Sequence, residues 1–178
     1  MTRFADLKTK RLHLIPATLA SLEAEAADLR LLEAMLDARI PREWPPPLND
    51  EDSRQFWMAF LRRDDANSGW VQWYIVRDEA LKPRTVIGNG GFKGAPSADG
   101  VVEIGYSLFP EFQRQGYATE AVRGLLEWAF AHRDVQYVIA ETLPDLHPSI
   151  AVLRRTGFVQ VPESSEAGVL RFKKTRSS

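Results

Sequence analysis

Residues 101–121 read VVEIGYSLFPEFQRQGYATEA. From Val101 to Phe109 the stretch has the pattern of a half-buried strand. Pro110 stops that strand, because it has no N–H to give to a ladder. Gly116 then lets the chain turn closely, with no side chain in the way. Tyr117, Ala118 and Thr119 enter a helix, and N–H groups in a first helical turn have no acceptor inside the helix. Those amides and the positive end of the helix make a place for an anion. Arg114 adds a charge-assisted contact, and the small Ala118 leaves room for a pyrophosphate. The segment lacks the Gly-Lys-Ser/Thr ending of a P-loop and the three-glycine spacing of a dinucleotide fingerprint. On these residues alone, a phosphate site and an ordinary helix cap both stand.

Upstream, residues 69–77 (GWVQWYIVR) and 85–93 (TVIGNGGFK) read as two more strands joined by polar turns. Period two puts Trp70, Tyr74 and Val76 on one face of the first, and Val71, Trp73 and Ile75 on the other. The glycines of the second permit a bulge or a close approach. Three strands in series suggest an antiparallel meander. Before them lie a short strand within residues 7–15 and an amphipathic helical region over 17–39, interrupted near 29–32. The segment 40–52, IPREWPPPLNDED, breaks the helix, since its run of prolines excludes a helix interior. Asn49 or Asp50 caps the next helix, 51–63. Downstream follow a helix over 117–132, a strand over 135–142 and a short helix over 148–156 ended by Gly157. Residues 158–161 and 169–172 form a terminal strand pair, and 173–178 are expected to fray as a flexible tail. The order predicts a single mixed α/β domain spanning residues 1–178, with a central, largely antiparallel sheet flanked by helices.

Bulk properties narrow the function. With 23 basic and 24 acidic residues the chain gives no reason to expect nucleic-acid binding. Its lack of cysteine excludes disulfides, a thiol nucleophile and thiolate metal sites. His13, His132 and His147 are dispersed, so no metal is expected. No apolar run approaches the roughly 18 residues that span a bilayer. The N-terminus lacks the apolar core of a signal peptide. A cytoplasmic protein without a membrane partner is expected.

The pattern as a whole resembles the GCN5-related N-acetyltransferases (GNAT), and most of all the branch containing the bacterial ribosomal-protein N-terminal acetyltransferases of RimJ/RimL type. That family's acetyl-CoA signature is Gln or Arg, two residues, Gly, one residue, Gly or Ala. Gln113, Gly116 and Ala118 match its fixed positions. The flanks match the branch too: EIGYSL over 103–108, then PEF, then GYATEA over 116–121. Later, PSIAVLRRTGF over 148–158 is similar to its serine-led helix, and RLHLIP over 11–16 to its first strand. The branch often carries an asparagine three residues before the serine, where this chain has Leu146.

The resemblance implies acetyl-CoA as donor, coenzyme A as product and no metal. It implies pyrophosphate on the turn formed by Gln113, Arg114, Gln115, Gly116, Tyr117, Ala118 and Thr119, and pantetheine between the 101–109 and 135–142 strands. Ser149 is a coenzyme contact on the same ground, and its hydroxyl can cap its helix. A backbone N–H of Ser107 or Leu108 is expected to stabilise the oxyanion. The amine must lose a proton before attack, and Glu103 is the first candidate for the base. Burial among apolar neighbours would raise its pKa, whereas a structural salt bridge would occupy it. Glu141 is the second candidate. Glu120, one helical turn beyond Gly116, complements the helix dipole. No tyrosine follows Tyr137, so the general acid is unassigned. Trp44, Trp73 and Tyr74 are expected in the acceptor groove, for a protein N-terminus or a small amine. The resemblance leaves a monomer or a homodimer open, and as an alternative an acetyl-CoA-binding regulatory module with little transferase activity.

Overall fold

The computed structural model describes residues 6–176. In chain order the elements are β1 Leu7–Lys8, β2 Leu12–Pro16, α1 Leu19–Ala27, α2 Leu29–Leu36, α3 Glu51–Arg63, β3 Gln72–Arg77, β4 Thr85–Phe92, β5 Val101–Leu108, α4 Tyr117–Ala131, β6 Tyr137–Thr142, α5 His147–Arg155, β7 Val159–Val161 and β8 Leu170–Thr175. The strands form one sheet in the order β1-β2-β3-β4-β5-β6-β8-β7. Neighbours are antiparallel except β5 and β6, which α4 connects as a crossover. This is the mixed α/β architecture expected from the sequence, with the meander β2-β3-β4-β5 as its first half.

Local chemistry sets the helix boundaries. Thr18 and Ser21 form a reciprocal capping box at the start of α1. Asp28 ends α1 in an extended conformation, and its carboxylate accepts from the Arg30 N–H to open α2. Asp50 caps α3 by accepting from the Ser53 N–H at 2.8 Å.

The sheet is buried on both faces. Beneath α4 and α5, Val122, Leu125, Ile150 and Leu153 pack with Ile75, Ile87, Val102, Ile104 and Val138. Beneath α1–α3, Leu22, Leu32, Leu36 and Leu61 pack with Val71, Tyr74, Val76 and Val86. Trp70 joins Trp73 and Ile75 on the α4 side, and Val71 joins Tyr74, which reverses the expected assignment of those residues. The reason is that β3 begins at Gln72, so the period-two rule does not extend back through the irregular chain at Trp70 and Val71.

In β4 the expected bulge and the expected close approach occur together. Ile75 pairs with Gly88 and Val76 with Val86, leaving Ile87 as the extra residue. A Cβ on Gly88 would lie 2.2 Å from the Ser107 carbonyl oxygen, so only glycine lets β4 meet β5 here. The C-terminal end is more ordered than expected. β8 inserts between β6 and β7 and runs through Thr175, with Phe172 fully buried. Arg176 donates to the carbonyls of Phe130, His132 and Val135. Of the expected tail, residues 177 and 178 lie outside the described residues.

Candidate active site

β5 and β6 pair at Val101–Tyr137, Val102–Val138 and Glu103–Ile139, and then part. Beyond that point β5 stays with β4 as far as Leu108, while β6 stays with β8 as far as Thr142. Both antiparallel partnerships outlast the parallel one, whose slanted bonds are weaker per residue. The opening is a cleft of about 870 Å³, lined among others by Tyr106, Leu108, Gly116, Thr119, Thr142 and Ser149.

The free edge of β5 can be read from its ladder. Lys93 N–H donates to the Glu103 carbonyl and Phe109 N–H to the Ile87 carbonyl, so the odd-numbered residues of β5 point their main-chain groups at β4. The even-numbered ones point the other way, which turns the amides of Tyr106 and Leu108 to the cleft. Of the two oxyanion candidates, Leu108 therefore has the N–H with the right direction. Ser107 does not: its amide faces β4, and its hydroxyl donates to the Pro47 carbonyl at 2.6 Å. The Leu108 carbonyl is taken by Gln113 Nε2 at 3.0 Å, so the Gln113 side chain locks the turn onto the strand.

At the mouth of the cleft, Arg114 (φ 59°) and Gly116 (φ 82°) both have left-handed backbones. Gly116 is the N-cap of α4 and has no side-chain cap. Among the described residues, none of the N–H groups of residues 114–119 meets a protein acceptor. A left-handed residue followed by a right-handed one makes an anion-binding concavity of successive amides. Ala118 and Thr119 line the cleft there. The Gln115 side chain bonds back to the Glu111 carbonyl, and Tyr117 turns its ring into the core, so these residues offer only backbone.

The turn is clamped by residues that the sequence reading did not assign to the site. Glu120 accepts from Thr9 Oγ1 at 2.6 Å, Arg11 N–H at 2.7 Å and Arg11 Nε at 2.8 Å. Arg11 also donates to the Gln115 carbonyl at 2.9 Å and stacks 4.4 Å over the Tyr117 ring. Desolvation pushes the Glu120 carboxyl up, but its hydrogen bonds with Thr9 and Arg11 and the Arg11 charge outweigh this and hold it below its ordinary value. Glu120 is thus a structural anchor rather than a simple dipole partner.

On the α4 side of the cleft, the Tyr106 hydroxyl lies 3.3 Å from Ser149 Oγ and donates to the Ser149 carbonyl at 3.2 Å. Burial pushes the Tyr106 phenol up to about 12. Ser149 is not the cap expected of it: α5 begins two residues earlier, with Leu146 at the N-cap position and no side-chain cap. The carboxylate candidates share the opposite face, and both are already paired. Glu103 is bonded to Lys93 and keeps 23% of its side chain exposed, which is the salt-bridge reading of that residue rather than deep burial. Glu141 accepts from the Ser165 N–H and from Arg171 Nε, each at 2.8 Å. Desolvation acts upward on Glu141, yet the Ser165 and Arg171 hydrogen bonds bring its pKa below the ordinary carboxylate value.

The aromatic groove expected from Trp44, Trp73 and Tyr74 is not assembled. Trp73 is fully buried under α4, with its indole N–H on the Gly69 carbonyl. Tyr74 is fully buried on the other face, with its hydroxyl on Glu25. A strand covered on both faces cannot offer either ring to a ligand. Trp44 alone is part-exposed, packed 6.0 Å from Tyr74 and 6.1 Å from Phe109. Among the described residues there is no cluster of three or more metal-ligating side chains and no helix long and apolar enough to cross a membrane.

Residues 11–159 match the family model described as the acetyltransferase (GNAT) domain. The chain belongs to this family and is an acetyl-CoA-dependent acetyltransferase. It is 36% identical over 147 residues, 82% of each chain, to the uncharacterized N-acetyltransferase YnaD of Bacillus subtilis. It is 26% identical over 162 residues to YjdG of the same organism, covering 90% of this chain and 93% of that one. The fold is shared with RimL, a ribosomal L7/L12 alpha-N-protein acetyltransferase solved with coenzyme A, at TM-score 0.65 and 18% identity over 96% of this chain and 98% of that one. It is likewise shared with the ribosomal-protein-S5-alanine acetyltransferase of Vibrio fischeri, at TM-score 0.65 and 16% identity over 97% of both chains.

Proposed function

We propose that this protein moves an acetyl group from acetyl-CoA to the amine of a protein N-terminus or of a small molecule, by direct attack while both substrates are bound. The observation that carries the reading is the parting of β5 from β6 after Glu103, beside a turn whose amides have no protein acceptor. Bound acetyl-CoA supplies the activated acetyl group. In this reading the amides of residues 114–118 hold its pyrophosphate, with Arg114 adding charge. The free edge of β5 at Tyr106 and Leu108 pairs with the pantetheine amides, and Ser149 supports the same arm. The Leu108 N–H donates to the carbonyl oxygen as negative charge grows there.

Glu103, on the opposite face at the last paired position of β5, draws the proton from the incoming amine through water. Glu141 serves instead to tie the Ser165 loop and Arg171 to β6. The fold shared with two ribosomal-protein acetyltransferases supports a protein N-terminus as acceptor. A cytoplasmic location fits such an acceptor.

The test combines calorimetric titration of acetyl-CoA with a mass-read transfer screen over small amines and short peptides that differ in their first residue. Tight binding without acetylation of any amine would favour a coenzyme-binding module. Glu103→Gln should lower kcat at least tenfold with coenzyme affinity unchanged. An unaltered kcat and pH profile in that variant would remove Glu103 from the mechanism.

A further inference from the structure

A line of polar side chains crosses the sheet on the α1–α3 face. Glu25 of α1 is 8% exposed, and its partners are neutral: Gln72 Nε2 at 2.9 Å and the Tyr74 hydroxyl at 2.8 Å. Gln72 Oε1 accepts from Asn89 Nδ2 at 3.0 Å. The same Asn89 nitrogen donates to Asn49 Oδ1 at 2.8 Å. Asn49 Nδ2 in turn donates to the carbonyls of Pro46 at 2.9 Å and Pro47 at 3.2 Å. From the cleft side, Ser107 donates to the same Pro47 carbonyl.

Both ends of this line only accept. A carboxylate has no donor when ionised, and prolyl residues have carbonyls but no N–H. Every amide between them is therefore oriented one way. Gln72 must turn its nitrogen to Glu25, so its oxygen faces Asn89. Asn89 must then present its nitrogen, and Asn49 its oxygen to Asn89 and its nitrogen to the prolines. Buried from Glu25 to Asn89 and matched at each step out to Asn49, such a line favours one arrangement. What it holds is the strap of residues 44–49. The next residue along the strap from Pro47 is Leu48, which lines the cleft, is 83% exposed and has φ +67°. A leucine in the left-handed region is strained and persists only where its surroundings hold it.

We propose that Glu25, Gln72, Asn89 and Asn49 are positioning residues that hold Leu48 at the acceptor side of the cleft, and that Leu48 selects amines carrying an apolar group next to the nitrogen. This rests on the cleft being the transfer site. Among the described residues, the strap hydrogen-bonds to β5 only at the Ser107 hydroxyl, not at the cleft-facing amides of Tyr106 and Leu108 or at the 114–119 turn, so its loss should act on the acceptor more than on the coenzyme.

The experiment uses the full chain with Asn49→Asp, which keeps size but loses the donor, and Leu48→Ala, a surface change that leaves the fold intact. The first readout is amide hydrogen exchange at Trp44, whose N–H donates to the Pro41 carbonyl at 3.1 Å, with acetyl-CoA affinity by calorimetry beside it. Asn49→Asp should speed exchange at least tenfold there, with acetyl-CoA Kd within twofold of wild type. The second readout is kcat/KM on peptides beginning with Leu, Met, Ser or Asp. Both variants should lower the preference for Leu and Met over Ser and Asp at least fivefold, through KM. Unchanged exchange in Asn49→Asp overturns the positioning role, and an unchanged preference in Leu48→Ala overturns the selecting role. Failure of the wild type to bind acetyl-CoA would instead sink the proposed function, and the exchange result would still decide whether the line holds the strap.

Discussion

Replacing Gly116 by alanine tests the proposed anion site at its left-handed glycine. Gly116 sits at φ 82°, ψ 0°, and a Cβ there would meet Arg11 Nη2 at 3.2 Å. The contact is with the end of a side chain, which ordinarily gives way. Here the guanidinium is held by Glu120, by the Gln115 carbonyl and by the Tyr117 ring, so it gives less readily. The backbone term is independent of that contact. A left-handed conformation costs an L-residue roughly 1–2 kcal/mol relative to glycine. If the turn keeps its shape, the cost appears as lost folding stability. If it relaxes, the amides of residues 116–118 rotate away from the cleft and the cost appears in binding. At about 1.4 kcal/mol per factor of ten, that is a roughly 5–30-fold weaker acetyl-CoA affinity.

Calorimetric titration of acetyl-CoA and of acetyl-pantetheine, beside a thermal melt, separates the two. Only the ligand with a pyrophosphate should lose affinity. Arg114→Gly is the control, because it removes a left-handed non-glycine residue from the same turn and should not lower the melting temperature. A Gly116→Ala variant with wild-type melting and wild-type acetyl-CoA affinity would refute the argument.

Other outcomes follow from the same geometry. Glu120→Gln should cost about 1–3 kcal/mol of stability at neutral pH, because it weakens the charge-assisted bonds from Thr9 and Arg11. The folded-state pKa of Glu120 is depressed, so its contribution is present above the ordinary value of 4.5 and is lost as pH falls through the folded value. Denaturant melts across pH should show wild type and variant converging in acid; a constant gap would contradict the assignment. Trp73→Ala should destabilise the fold by about 3–5 kcal/mol, as a buried aromatic. In denaturant melts, a loss under 1 kcal/mol would restore that ring to a surface groove. Burial pushes the Tyr106 phenol up to about 12, so pH–rate profiles of wild type and Tyr106→Phe should share the same limbs up to pH 10. A limb that disappears with the hydroxyl would show that Tyr106 ionises in turnover.

Much of the fold was legible because its signals are local. Pro110, Gly116 and the helix after them need only neighbours to act, and so does the cap at Asp50. The interruption near Leu29 was readable from pattern, and Asp28 supplies the cause. The bulge in β4 was readable from its glycines. What failed did so where two distant surfaces meet. Trp73 and Tyr74 look like groove residues in a list of aromatics, and become core only when both sheet faces are covered. Ser107 and Leu108 are adjacent and equivalent in sequence. The register against Gly88 and Asn89 separates them, since it decides which amide faces the cleft. The strand through Thr175 was hidden by its charges, which suit a half-exposed position in β8 beside the buried Phe172 as well as they suit a tail.

The sequence by itself determined the family, most of the order of elements and the location of the glycine turn that opens α4, because each depends on spacing along one segment. Only the tertiary structure decided which groups that turn is tied to and which carboxylates are already paired. Arg11 and Glu120 lie 109 residues apart, and Glu25 reaches the cleft through side chains of β3, β4 and the strap. Hydrogen bonds of that kind are made between surfaces that folding brings together, and no local pattern encodes them.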